Sequence, residues 1–139
     1  MVFGDGASSP SPAASARYAA PMRDLHAWNA VLVIAATALA FGWGGVYLVR
    51  HRYPGRIYAH LLAAAQALVI AQVALGLLLL SYDVRTADRL HYVYGTRALL
   101  AVLSPWLYAP PVPARRLAWF VGASLVAGAL AVRAYTTSS

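Results

Sequence analysis

Cysteine, lysine and glutamate are all absent from this chain of 139 residues. Without cysteine the protein can form no disulfide, no Fe–S cluster, no thiolate zinc site and no covalent c-type haem attachment. Charge is scarce as well, because charged residues make up 11% of the sequence, against about 25% in a typical soluble domain. The charges that remain are of two kinds only, with every basic residue an arginine and every acidic residue an aspartate.

Apolar residues are correspondingly abundant, at 61% of the chain against about 45–50% in soluble domains. This excess is too large for a small soluble protein, and it excludes a disordered chain, which needs low hydrophobicity. The formal net charge of +7 is not gathered into a patch, so we do not expect a nucleic acid as partner. The composition predicts a small multi-pass membrane protein whose partner is the lipid bilayer.

Two long uncharged runs support this prediction. Residues 25–49 lie between Asp24 and Arg50, and residues 57–82 lie between Arg56 and Asp83. Each run exceeds the roughly 20 residues that a helix needs to cross a bilayer.

Two weaker candidates follow the long runs. Residues 89–108 are apolar and aromatic but contain Arg97. Residues 116–135 include an uncharged run of only 16 residues, 117–132, with Trp119 and Arg133 as interface anchors. In lipid the backbone must satisfy its own hydrogen bonds, which favours helices. We therefore predict an all-α, integral membrane four-helix transmembrane bundle.

The two ends of the chain have a different composition. Residues 1–24 are rich in Ala, Ser, Pro and Gly and contain no apolar core of a signal peptide, so a flexible extracytoplasmic tail is predicted there. Residues 136–139 are predicted to form a short polar tail. Arginines are divided evenly between the two sides, but the first loop concentrates them in RHRYPGR and all four Asp residues lie on the other side. This pattern favours extracytoplasmic termini.

The choice of charged residues also bears on the source. Missing Lys and Glu, together with abundant Ala, Arg, Gly and Pro, indicate a GC-rich genome. We therefore expect a bacterial protein of the inner membrane.

Two histidines are the sharpest candidates for chemistry. His26 and His91 begin the predicted first and third helices, which run in the same direction, so both rings should lie at similar depth near the outer interface. Ala30 and Gly95 follow four residues later on the same helix faces and leave room for a flat group. Two histidines in a bundle can hold haem iron as axial ligands. The alternative is that both are interfacial residues facing water or headgroups.

Three further residues are candidates for supporting roles. Arg97 lies six residues beyond His91, about 9 Å deeper along the helix, where a charge needs a partner or a water-filled cavity. With Tyr94 and the glutamines it could form a site for a quinone, lipid or ion; the alternative is snorkelling to the interface. Asn29 is a candidate hydrogen-bond partner for a ligating histidine.

The outline resembles small four-helix b-type membrane cytochromes and the histidine-bearing bundle of haem A synthase-like proteins. Only LHAWNA, at the start of the first predicted helix, and RLHYVYG, at the start of the third, carry this resemblance. Neither stretch is a diagnostic motif, so the sequence assigns no family.

The chain contains no P-loop, no HExxH and no nucleophile elbow, so no enzyme mechanism is visible and a non-enzyme is favoured. The first hypothesis is an accessory or structural subunit that packs against itself or within a larger membrane complex, with no cofactor. The second is a b-type haem protein, with His26 and His91 as the ligands of the haem iron, that transfers electrons or handles haem. The third is the binding bundle centred on Arg97.

Overall fold

The computed structural model describes residues 12–84 and 88–137, and within these ranges the chain is helical throughout apart from short connections, with no strand. The all-α prediction is confirmed, and the described part of the chain contains four helices. Their bounds are α1 Pro12–Val49, α2 Arg56–Ser81, α3 Leu90–Tyr108 and α4 Pro113–Thr136.

Three of these helices have the length and apolar composition needed to cross a membrane. They are Ala16–Val49, Arg56–Ser81 and Pro113–Thr136. Helix α3, which has 19 residues and includes Pro105 and Arg97, is not among them. Three of the described helices could therefore cross a membrane, which is consistent with a membrane protein, and a fourth span stays a prediction.

Helix α1 starts well before the predicted boundary. Residues 12–24, expected to form part of a flexible tail, are helical and continuous with the first span. Alanine, which dominates this stretch, has the highest helix propensity, and Pro12 is tolerated because the first turn needs no backbone N–H donor. Residues 1–11 of the predicted tail lie outside the described residues. So do residues 138–139 of the predicted C-terminal tail, while Thr136 belongs to α4.

The helices pack as a bundle in which α1 and α3 each contact both α2 and α4. Among the described residues, α1 does not pack against α3, and α2 does not pack against α4. Each of these pairs therefore lies on a diagonal of the bundle. Short connections, at 50–55 and 109–112 on one end and 82–89 on the other, make neighbouring helices antiparallel.

The core is divided into layers along the bundle. Its middle layer takes one residue from each helix, namely Val33, Val69, Val102 and Ala127. A second cluster, at the end that carries the 50–55 connection, contains Tyr58, Leu117 and Val121. We call the other end, where α1 carries His26 and α3 carries His91, the histidine end.

Large apolar side chains cover the outside of the bundle. Leu39 on α1, Leu77 on α2 and Leu100 on α3 are each about 60% exposed. A soluble monomer rarely exposes extensive apolar surface, whereas lipid tails are as apolar as leucine. The outer surface thus agrees with burial in a bilayer.

Gly44 marks the closest approach of α1 to its neighbours. A Cβ at this position would overlap the Tyr58 hydroxyl and lie 2.7 Å from a methyl group of Val121. Tyr58 is 3% exposed and donates a hydrogen bond to the Ala40 carbonyl at 3.1 Å, so its ring cannot move aside without losing that bond. Gly42, two residues earlier, has no atom within 4 Å of such a Cβ.

We therefore expect Gly44→Ala to destabilise the protein by about 1–3 kcal/mol, the usual range for overpacking. Gly42→Ala is the matched control and should be neutral or stabilising by up to about 1 kcal/mol, because alanine favours the helix. Thermal unfolding in mild detergent, followed by circular dichroism, measures both effects. Equal stability of the two variants would contradict this account of the α1–α2–α4 contact.

Candidate functional site

A cavity of about 610 Å³ lies inside the bundle at the histidine end. All four helices contribute to its wall, which is mostly apolar and built from small side chains. Val33 and Val69 of the middle core layer form its floor. The exposed side chain of Arg23 also borders the cavity. The cavity is thus an apolar chamber with a cation at its border.

His26 and His91 both line this cavity. Their ring centroids are 6.0 Å apart, and the ring planes are inclined by 55°. Because α1 and α3 lie on a diagonal of the bundle, the two side chains approach each other across its interior. The structure therefore brings together the two histidines that the helix directions placed at equal depth.

A chain of hydrogen bonds fixes the state of His26. The Leu68 carbonyl can only accept, so Asn29 directs its amide nitrogen Nδ2 to it at 2.9 Å. The same nitrogen donates to Oε1 of Gln72 at 2.7 Å. Gln72 therefore presents its own amide nitrogen to Nε2 of His26, at 3.2 Å. An amide nitrogen donates only, so Nε2 of His26 is the acceptor and the ring proton of the neutral imidazole lies on Nδ1.

His91 is held by a single bond of a different kind. Its Nδ1 lies 2.9 Å from the backbone carbonyl of Ala134 in α4. Since a carbonyl only accepts, Nδ1 carries the proton and donates. In the neutral ring Nε2 then carries a lone pair, and none of the described residues hydrogen-bonds to it. A histidine ligand of a metal ordinarily has this arrangement, with one nitrogen on a backbone carbonyl and the other free to bind.

Small residues on α2 and α4 flank the two rings. A Cβ added to Gly76 would lie 3.4 Å from Cε1 of His26 and 4.0 Å from its Nδ1, so glycine lets the imidazole rest against the α2 backbone. Nδ1 of His26 is buried and has no partner among the described residues. On the α4 side the wall is formed by Ala131, Ala134 and Tyr135. Glycine and alanine therefore border part of the space between the histidines.

Of the three predicted supporting residues, the structure brings only Asn29 to the histidine site. Asn29 joins the histidine site, through Gln72. Arg97 is exposed on the outer surface of α3 and does not line the cavity. Tyr94 also lies outside the cavity wall, where the guanidinium of Arg133 stands 5.8 Å above its ring. The structure thus does not bring Arg97 and Tyr94 together with the two histidines.

Three contributors to the site escape sequence reasoning. Gln72 has the pattern of a general interhelical hydrogen-bonding residue, and Gly76 and Ala134 are not among the predicted site residues. A signal for the first two exists, because a glutamine followed four residues later by glycine puts a polar group and a gap on one helix face. Ala134 acts through its carbonyl, which no side-chain pattern reveals.

The site offers two nitrogen ligands and little else to a metal. Among the described residues no three His, Cys, Asp or Glu side chains cluster in a way that could hold a bare ion. A metal bound between the histidines would need further ligands from its own macrocycle or from water. The arrangement therefore fits a planar metal cofactor better than a free cation.

Comparison with known proteins gives no relative. No protein family, no curated protein and no solved structure matches this chain.

The hydrogen bonds of His26 and His91 predict the tautomer of each ring in protein prepared without haem. Both His26 and His91 should carry their proton on Nδ1, because the Gln72 amide makes Nε2 of His26 an acceptor and the Ala134 carbonyl makes Nδ1 of His91 a donor. Nitrogen-15 NMR of histidine-labelled protein distinguishes protonated from bare ring nitrogens. The exposed His51 serves as the internal control. A Gln72→Leu variant should release His26 from this tautomer and leave the tautomer of His91 unchanged. Protonation of Nε2 of His26 in the unsubstituted protein would contradict the assigned hydrogen bond from Gln72.

Proposed function

We propose that this chain is a multi-pass membrane protein that binds one haem b between His26 and His91. The observation that carries the proposal is the convergence of two imidazoles from diagonal helices on one apolar cavity, with ring centroids 6.0 Å apart. Haem iron is commonly held by histidine, and bundle interiors are where such cofactors lie.

The ring separation suits a shared metal. An imidazole nitrogen binds a metal at about 2.0–2.1 Å, which puts the centroids of two rings on opposite sides of one metal about 6 Å apart. The observed 6.0 Å thus requires ring rotation and little movement of the helices. His91 already has its Nδ1 on a carbonyl, which orients the ring and raises its strength as a ligand.

The cavity also suits the macrocycle. A plane perpendicular to the line between the histidines runs along the other diagonal of the bundle, toward α2 and α4. Ala131 and Ala134 on α4 are small residues in this direction, and Gly76 on α2 gives space once the His26 ring, which rests against it, turns toward the metal. The volume of about 610 Å³ lies within the roughly 300–1,000 Å³ of cofactor and ligand pockets.

Arg23 supplies a partner for the acidic edge of the cofactor. It borders the cavity and is exposed, so it can pair with a carboxylate without being buried itself. Guanidinium–carboxylate pairs are frequently bidentate and charge-assisted. Haem b carries two such carboxylates, and its apolar remainder matches the rest of the wall.

Two axial histidines favour electron transfer or haem handling over hydrolytic or group-transfer chemistry. We assign no catalytic residue. The role of an accessory or structural membrane subunit, alone or in an oligomer, stays a prediction, because no feature of the described residues identifies a protein partner. The Arg97-centred site loses support, since Arg97 faces outward.

The proposal includes four membrane spans. Helix α3 has 19 residues, about 28 Å of helix, which approaches the roughly 30 Å of a hydrocarbon core. Its outer face carries Leu100, which is 63% exposed, and Arg97 can reach the interface by snorkelling. With four spans both termini share one side, which we place outside the inner membrane of a bacterium.

Haem binding is tested by adding haem b to the purified protein in mild detergent. We expect the unsubstituted protein to develop a Soret band with six-coordinate, low-spin features. The double variant His26→Ala/His91→Ala should develop none, whereas His60→Ala, which removes an exposed histidine of α2, should behave like the parent. A parent protein that retains no haem after the excess is removed by gel filtration would overturn the proposal.

A substitution that fills the cavity, with His26 and His91 unchanged, tests in the same assay whether haem binds in the cavity. Gly95 lines the cavity, and a Cβ there meets no atom within 4 Å. Gly95→Phe should therefore fill part of the chamber and abolish the Soret band while both histidines are intact. Gly122→Phe is the matched control, because Gly122 also has open space around a Cβ but is exposed on α4. Normal haem uptake by Gly95→Phe would place the haem elsewhere.

The number of spans is tested by labelling single cysteines in a chain that has none of its own. Four spans put Gly55→Cys and Val112→Cys on one side of the membrane and Ser81→Cys on the other. A membrane-impermeant maleimide added to intact cells should then label Ser81→Cys and neither of the first two. Labelling of Val112→Cys together with Ser81→Cys would show that α3 does not cross.

A further inference from the structure

We propose that the two histidines are unequal ligands: His91 is the fixed axial ligand, and His26 is the exchangeable one that a small molecule can replace on the iron. This inference rests on the proposed haem binding. It follows from the hydrogen bonds that the two rings make, which favour coordination for one and oppose it for the other.

His91 is prepared to bind. Its Nδ1 donates to the carbonyl of Ala134 at 2.9 Å, and that carbonyl belongs to the backbone of α4 and cannot rotate away. The nitrogen left over, Nε2, carries its lone pair and has no hydrogen-bond partner among the described residues. Coordination through Nε2 therefore breaks no bond and keeps the one that orients the ring.

His26 is prepared for a different partner. Its Nε2 accepts from the Gln72 amide at 3.2 Å, and Gln72 cannot turn, because Asn29 holds its Oε1 at 2.7 Å. Asn29 is held in turn by the Leu68 carbonyl. Coordination through Nε2 must break the Gln72 bond. The other nitrogen, Nδ1, carries the proton and lies against the backbone of α2 at Gly76.

The competition has a definite size. A net hydrogen bond of the ordinary strength lowers the equilibrium constant for coordination by a factor of about 2–12. When His26 leaves the iron, its Nε2 regains the bond to Gln72 at once. His91 has no corresponding alternative, since its only described bond survives coordination. The iron should therefore lose His26 first.

The chamber can accept a replacement ligand. His26 is displaced toward α2, where Gln72 and Gly76 receive it, and the space that it leaves faces Gly95 and Ala30, both on the cavity wall. A Cβ added to Gly95 would meet no atom within 4 Å, so this part of the wall is open. A diatomic molecule needs less room than an imidazole, so it fits without movement of the helices.

Carbon monoxide, which binds ferrous haem, is the probe. The haem-loaded protein is reduced with dithionite and titrated with carbon monoxide, and the Soret shift gives the affinity. We expect the parent to exchange His26 for carbon monoxide. His26→Ala should keep its haem, become five-coordinate and bind carbon monoxide more tightly than the parent. His91→Ala should lose at least about 10-fold in haem affinity, a loss that added imidazole restores if the bundle is folded.

Gln72→Leu tests the cause of the inequality. Removing the competing donor should strengthen His26 on the iron and lower the carbon monoxide affinity by about 2–12-fold. Gln66→Leu is the matched control on the same helix, because Nε2 of Gln66 is buried with no partner among the described residues and Gln66 does not line the cavity. It should leave the affinity unchanged.

The outcomes separate the two proposals. A parent protein that takes up no haem overturns both. If the parent binds haem, equal loss of haem in His26→Ala and His91→Ala, or greater loss in His26→Ala, overturns the inequality alone. So does an unchanged carbon monoxide affinity in Gln72→Leu. Retention of haem only in His26→Ala, with the expected shift in Gln72→Leu, supports it.

Discussion

The hydrogen-bond chain from the Leu68 carbonyl through Asn29 and Gln72 to His26 is the constraint on which the histidine end depends. An unpaired polar group in an apolar bundle costs about 1–3 kcal/mol, so each amide in the chain must satisfy the next. The chain joins α1 to α2 and sets which nitrogen of His26 can accept. It determines the chemistry of the site as well as its packing.

Close packing elsewhere makes this arrangement possible. The middle core layer takes one small or medium apolar residue from each helix and seals the bundle below the cavity. Above it, Gly76 lets the His26 ring lie against the backbone of α2, and Ala131 and Ala134 on α4 line the cavity with small side chains. The diagonal placement of α1 and α3 then lets two long side chains meet across a space that neighbouring helices would have filled.

The ends of α2 and the equal depth of the two histidines could be predicted from the sequence, whereas the start of α1 and the direction of Arg97 could not. Uncharged runs give the approximate ends of α2, and the alternation of helix directions puts His26 and His91 at one depth. The start of α1 at Pro12 differs from the prediction. Residues 12–24 have the polar composition expected of a tail, but their alanines give them a high helix propensity. Arg97 lies about 120° around α3 from His91, so the two side chains point in different directions. The spacing does not say which of them faces the bundle interior; the packing of the neighbouring helices does.

The scarcity of charge in this chain limits what its interior can do. With no cysteine, lysine or glutamate, and with every aspartate outside the predicted spans, the half-buried polar side chains that line the cavity are the imidazoles of His26 and His91 and the amide of Gln72. Amides are neutral and cannot neutralise a bare cation, whereas a macrocycle brings its own charge and needs only axial nitrogen. The Gln72 amide competes with a metal for Nε2 of His26 and leaves Nε2 of His91 free. The scarcity of charged groups that makes the site fit haem therefore also makes its two ligands unequal.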